Sequence, residues 1–107
     1  MILFVPDSGR AQLLQSDDLQ RLHCEIATTD DAGRVRNALD GIASLHEGHA
    51  WISTDWLRQN GTRDNGPDWS ARFETMIDKA RPHGWISTDG KSVKAHIVWN
   101  NPQKENE

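Results

Sequence analysis

Between Asp68 and Trp99 the chain carries one long helical stripe, a proline stop and two strand-like runs around a turn. Trp69, Phe73, Met76, Ile77 and Ala80 fall at i, i+4, i+7, i+8 and i+11, the spacing that puts side chains on one face of a helix. Pro67-Asp68 offers the start, with Asp68 as N-cap beside a proline. Arg81-Pro82 supplies the stop, because proline restricts the residue before it and cannot continue the backbone ladder. The run Gly84–Thr88 and the run Lys91–Trp99 then flank Asp89-Gly90, a pair that predicts a type I′ hairpin turn. Whatever else the chain does, it has to cover that helix face.

The remaining elements are shorter. Ile2–Val5 is a strand candidate ended by the turn-rich Pro6-Asp7-Ser8-Gly9. Ser16-Asp17-Asp18, with Gln20 three residues after Asp17, predicts a helix start, and Leu19, Leu22, His23 and Ile26 its stripe. Thr28-Thr29-Asp30-Asp31 gives a second cap. From there Ala32, Val35, Ala38, Leu39, Ile42 and Leu45 predict a helix over 31–45. Gly48 terminates that region, and Ala50–Ser53 is a short strand. Ser53-Thr54-Asp55 caps a short helix over Trp56–Gln59, closed by Asn60-Gly61. Residues 61–67 contain no apolar side chain and are expected to be a solvent-facing loop. Residues 100–107 form a polar tail, expected to fray.

From residue 31 onward the order is helix, short strand, short helix, polar turn, long helix, hairpin. This order resembles the winged helix-turn-helix architecture, with the long helix in the recognition position and the Thr88–Lys91 turn as wing tip. The resemblance lies in element order alone and rests on no family motif. It implies an α+β fold: a single domain over 1–99, with a strand/helix extension at 1–30 and a winged-helix-like core at 31–99.

One heptad recurs. His49-Ala-Trp51-Ile-Ser-Thr-Asp55 and His83-Gly-Trp85-Ile-Ser-Thr-Asp89 agree at six of seven positions, 34 residues apart. Nothing else repeats, and a solenoid needs about three copies to bury a core. The two copies are expected to be strands of one small sheet. Ser, Thr and Asp then serve as a cap in one and a turn in the other.

Composition narrows the function classes. At 107 residues the chain suits one domain with one core. Cys24 is the sole cysteine, so no internal disulfide forms and a reducing, cytoplasmic setting is expected. The apolar start Met1–Val5 is too short for a signal peptide, and no run approaches a membrane span. The net charge of −4 opposes phosphate binding unless the basic residues are segregated. Five tryptophans against two phenylalanines and no tyrosine make the aromatic mass mostly indole. Trp51, Trp69 and Trp85 are expected in the core, with Trp56 and Trp99 partly exposed.

The architecture implies double-stranded DNA as partner and a regulatory role. The candidate contact residues are Arg58, Asn60, Thr62, Arg63 and Asn65 in the second helix and turn, Ser70 and Arg72 on the long helix, and Lys91 and Lys94 on the wing. Arg and Asn suit base edges, and Lys and Thr suit phosphates. Glu74 and Asp78 on the long helix oppose this and favour the alternative of a protein-interaction module or homodimer. His46-x-x-His49, with His83, has metal-like spacing, but no second close ligand pair accompanies it, so neither metal nor cofactor is expected. For a small histidine-dependent enzyme the acid/base candidates are His23, His49, His83 and His96, oriented by Asp55 or Asp89. No phosphate-cradling or nucleophile-elbow motif is present, so a binding protein is expected over an enzyme. The Asp89-Gly90 turn demands positive φ at Gly90. Gly90→Val is therefore expected to cost about 1 kcal/mol or more in a thermal melt.

Overall fold

Alternating burial governs the N-terminal quarter of the chain. In the computed structural model, which describes residues 1–6, 10–27 and 32–99, β1 (Ile2–Val5) and β3 (His23–Ile26) each bury every second side chain. Leu3, Val5, Cys24 and Ile26 are fully covered. β2 (Gln12–Leu14) pairs antiparallel with β1, whereas β3 lies parallel to it on the other side. The helix expected after Ser16 is absent. Asp18 N–H donates to the Gln15 carbonyl in a turn, and Leu22 leads into a strand whose two edges are both hydrogen-bonded. Cys24 and Ile26 share a face with Leu3 and Val5 only at a period of two, so long-range pairing overrides the helical spacing. The predicted turn at residues 6–9 and cap at 28–31 lie mostly outside the described residues, as does the polar tail at 100–107.

The helix predicted over 31–45 is shorter. α1 (Ala32–Ala38) ends before Gly41, whose φ of +75° breaks helical geometry, and Ala43–His46 is a strand, β4. β4 pairs antiparallel with β5 (His49–Ser53) across Glu47-Gly48, where both residues have positive φ, +52° and +81°. That is the type I′ geometry expected at Asp89-Gly90. At Asp89-Gly90 only Gly90 is left-handed, at +73°, and its N–H donates to the Ser87 carbonyl at 2.9 Å. The turn is thus the longer kind closed by a left-handed glycine. The Asp89 carboxylate accepts from Ser87 Oγ at 2.6 Å and from Lys91 N–H at 3.0 Å, and these bonds hold its carboxyl below the usual range.

Ser53 caps α2 (Thr54–Asn65) as expected, its Oγ accepting from the Trp56 N–H at 3.2 Å. The helix does not stop at Asn60-Gly61, however. It runs through residues expected to form a loop, and Gly66 alone joins it to α3 (Pro67–Ala80). Pro67 opens α3, and no side chain caps it, Asp68 included. Gly61 continues the helix because Trp69 of α3 packs directly on it: a Cβ at residue 61 would collide with the indole. Trp69, Phe73, Ile77 and Ala80 are buried, as their spacing predicts, and Arg81–His83 is a single 3₁₀ turn.

β6 (Ser92–Trp99) completes a six-stranded mixed sheet of order β2-β1-β3-β6-β5-β4. The fold is α+β, and its sheet is larger than a wing hairpin. Residues 1–30 supply three of the six strands. Leu3, Val5, Cys24, Ile26, Ala50, Ile52, Val93, Ala95 and Ile97 are buried in register. One sheet face is therefore packed, in a single cluster with Leu57, Trp69, Phe73 and Ile77 of the helices. The opposite face has no helix over it among the described residues. Burial pushes the Cys24 thiol up to about 11. No described helix is long and apolar enough to cross a membrane.

Because Gly61 underlies the Trp69 indole, Gly61→Ala is expected to destabilise the protein by about 1–3 kcal/mol through overpacking, despite the better helix propensity of alanine. Urea unfolding followed by tryptophan fluorescence measures this directly.

Candidate functional site

Strand register builds a row of histidines. The Glu47-Gly48 turn sets His46 opposite His49, β5 and β6 set His49 opposite His96, and β3 sets His23 opposite His96 from the other side. Paired residues share a face, and Ala50, Ala95 and Cys24 beside them are buried toward the helices. The four imidazoles therefore belong to the open face. Those of His49 and His96 meet edge to face with centroids 6.0 Å apart, and His23 Nε2 lies 3.8 Å from Glu25.

The next row is aromatic and basic. Trp51 pairs with Lys94, whose N–H donates to the Trp85 carbonyl at 2.7 Å. The two copies of the heptad flank the same stretch of β6, since Val93 pairs with Ile52 on one side and bridges Ile86 on the other. The second copy makes only this bridge, so Trp85 is half exposed instead of buried, and Trp51 is half-buried on the open face. Trp69 alone of the three expected core indoles is in the core. His83 stacks on Trp85 with centroids 4.6 Å apart.

The partner of β6 changes at Ala95. Trp85–Ser87 flanks residues 92–94, whereas β3 begins only at His23, opposite His96. This leaves a notch where the open face meets the flank of α3 and the 19–22 turn, and there a groove of about 1000 Å³ lies. Arg21, Arg72, Lys79 and Lys94 line it together with His23, His49, His83 and His96, and no carboxylate of the described residues does. Among the described residues none of those four permanent cations has an ion-pair partner. Leu19, Leu22, Met76 and Trp85 supply its apolar wall. Four of the twelve Lys and Arg residues of a net-acidic chain thus converge on one concave surface, a shape that focuses the field of like charges.

Of the nine residues expected to meet nucleic acid, Arg72 and Lys94 enter this groove. Lys91 sits on the exposed Ser87–Lys91 turn. Arg58, Asn60, Arg63 and Asn65 are engaged within the helix pair or with Ser16. Arg58 bonds to both Glu74 oxygens and to Asp55, and lies over the Phe73 ring, so Glu74 above all raises its already high pKa. Asn60 donates to the Trp56 carbonyl and accepts from Arg63, which also reaches Asp64. Asn65 donates to Ser16 Oγ and the Gly61 carbonyl. Thr62 and Ser70 are half-buried on the helices, away from the groove lining. Arg21 was not expected here, and nothing in its local sequence marks it. Lys79 was readable, since Arg72, Thr75, Met76 and Lys79 fall at i, i+3, i+4 and i+7. His46-x-x-His49 turns out to be hairpin spacing, and among the described residues no three His, Cys, Asp or Glu side chains converge as a metal site.

Comparison of the chain with protein-family models, with curated proteins and with solved structures found no match. The contrast between Arg58, ion-paired to Glu74 and Asp55, and Arg72, which reaches the Asp17 carbonyl at 3.5 Å on the exposed surface, makes a stability test. Arg72→Ala is expected to change unfolding free energy by less than about 0.5 kcal/mol. Arg58→Ala is expected to cost up to about 1 kcal/mol, as for other exposed ion pairs, when both are followed by urea denaturation.

Proposed function

We propose that the protein binds single-stranded nucleic acid across the open sheet face and its groove. One observation carries the reading: in a chain of net charge −4, four cations without an ion-pair partner among the described residues and four histidines converge on a groove that no described carboxylate lines, beside an exposed indole. Cationic side chains neutralise phosphates whatever the sequence, and an exposed aromatic ring stacks on any unpaired base. An open β-face with aromatic and basic residues offers both to a strand whose bases are splayed out. Trp85, stiffened by its stack with His83, is the platform; Lys94, Arg72 and Arg21 follow the backbone.

The winged helix-turn-helix reading, with duplex DNA as partner, ranks second. In its favour are the α2–α3 pair joined at Gly66 and the β-turn bearing Lys91. Against it, Glu74 and Asp78 are exposed on α3, and Arg58, Asn60 and Asn65 are engaged internally.

Fluorescence anisotropy with labelled single-stranded and duplex oligonucleotides at low and moderate salt tests both. Single strands are expected to bind at micromolar protein, more tightly than duplex. Trp85→Ala is expected to cost about 1–3 kcal/mol, and Lys94→Ala to reduce the salt slope by about 0.7. Duplex binding as tight as single-strand binding would favour the second reading. No binding of either at low salt would overturn both.

A further inference from the structure

The groove holds paired proton-transfer groups, and among the described residues no carboxylate or thiol lines it. The one hydroxyl in its lining among the described residues, Thr75 Oγ1, donates to the Ala71 carbonyl at 3.2 Å. A substrate that carries its own nucleophile asks of such a lining only proton transfer and charge stabilisation. Single-stranded RNA brings one, the 2′-hydroxyl next to each phosphodiester, which DNA lacks. Imidazole is the side chain best suited to both accept and donate a proton near neutral pH. His49 and His96 stand side by side in register with ring centroids 6.0 Å apart, and Lys94 lies two residues before His96 on the same face.

Resting on the single-strand reading above, we infer that the protein cleaves RNA by transphosphorylation, with His49 and His96 as the acid–base pair. One neutral imidazole removes the 2′-hydroxyl proton as O2′ attacks phosphorus. The bond from phosphorus to O5′ breaks as O2′–P forms, and the other imidazole, protonated, gives its proton to the departing 5′-oxygen. The products are a 2′,3′-cyclic phosphate and a 5′-hydroxyl, and the two imidazoles return to their starting states through solvent. Nothing is oxidised or reduced, and no co-reactant is consumed. The Lys94 ammonium offsets the charge that builds on the non-bridging oxygens.

The experiment follows a labelled single-stranded RNA oligonucleotide in the presence of EDTA, beside an all-deoxy oligonucleotide of the same sequence. The expected result is binding of both and cleavage of the RNA alone, with cyclic phosphate ends identified by mass spectrometry and a bell-shaped pH–rate profile. His49→Ala and His96→Ala are expected each to slow cleavage of saturating, fully bound RNA at least about 100-fold, the usual contribution of general acid–base catalysis. His49→Gln and His96→Gln, with circular dichroism, guard against a folding defect. Asp64→Asn, at a residue paired with Arg63 on α2 outside the groove, is expected to cleave normally. Binding of both strands without cleavage overturns this inference and leaves the binding function standing. Failure to bind either strand overturns both. Cleavage that survives the loss of His49 and His96 also overturns it.

Discussion

The Trp69 indole ties the two halves of the chain together. Its ring lies on the bare backbone of Gly61 and stacks on Phe73 with centroids 5.0 Å apart, which sets how closely α2 and α3 approach. Its Nε1–H donates to the Ser16 carbonyl at 2.6 Å in a buried site, and Asn65 donates to Ser16 Oγ at 2.8 Å. A buried indole N–H without a partner costs about 1–3 kcal/mol, so this bond selects the conformation of the turn as well as satisfying the ring. The turn it fixes leads into residues 19–22, one wall of the groove, and then into His23. The geometry of the candidate site therefore depends on a tryptophan that does not line it.

This coupling also explains what the sequence could and could not reveal. The α3 stripe and the Ser53 cap were legible because they depend on neighbours within a few residues. Gly61 was misleading because an isolated glycine usually punctuates a chain. Here its small size matters instead, and only the position of Trp69, eight residues on, makes that visible. The strands at 23–26 and 43–46 were hidden for a different reason. Both carry spacings compatible with a helix, and the decision falls to pairing with β1, β6 and β5. Tertiary pairing of that range overrides local preference, and a single sequence holds no record of register.

The same limit applies to the site. His23, His49 and His96 were each visible as candidate acids or bases, yet 26 and 47 residues separate them and nothing local joins them. Register does so in one step, because cross-strand partners must share a face. The wing and helix-turn-helix assignment drew attention instead to the polar residues of α2. Most of those spend their hydrogen bonds on their own helix or on Ser16, and so serve the junction that Trp69 organises.

Net charge is then a poor guide to what this surface attracts. The carboxylates of Asp55, Asp64, Glu74 and Asp78 approach Arg58, Arg63 and Arg81 around the helices, pairing charge where no groove exists. Arg21, Arg72, Lys79 and Lys94 are left without such partners among the described residues. Paired charges at the surface cancel within a Debye length of about 10 Å at 0.1 M salt, so the field felt by an approaching anion is set mainly by the unpaired ones. A chain can thus be acidic in sum and cationic where it is concave. The notch at Ala95 makes that concavity, because β3 and the Trp85 segment each cover only part of β6. An uninterrupted strand there would close the notch and leave the same cations dispersed over a flat sheet and a helix flank.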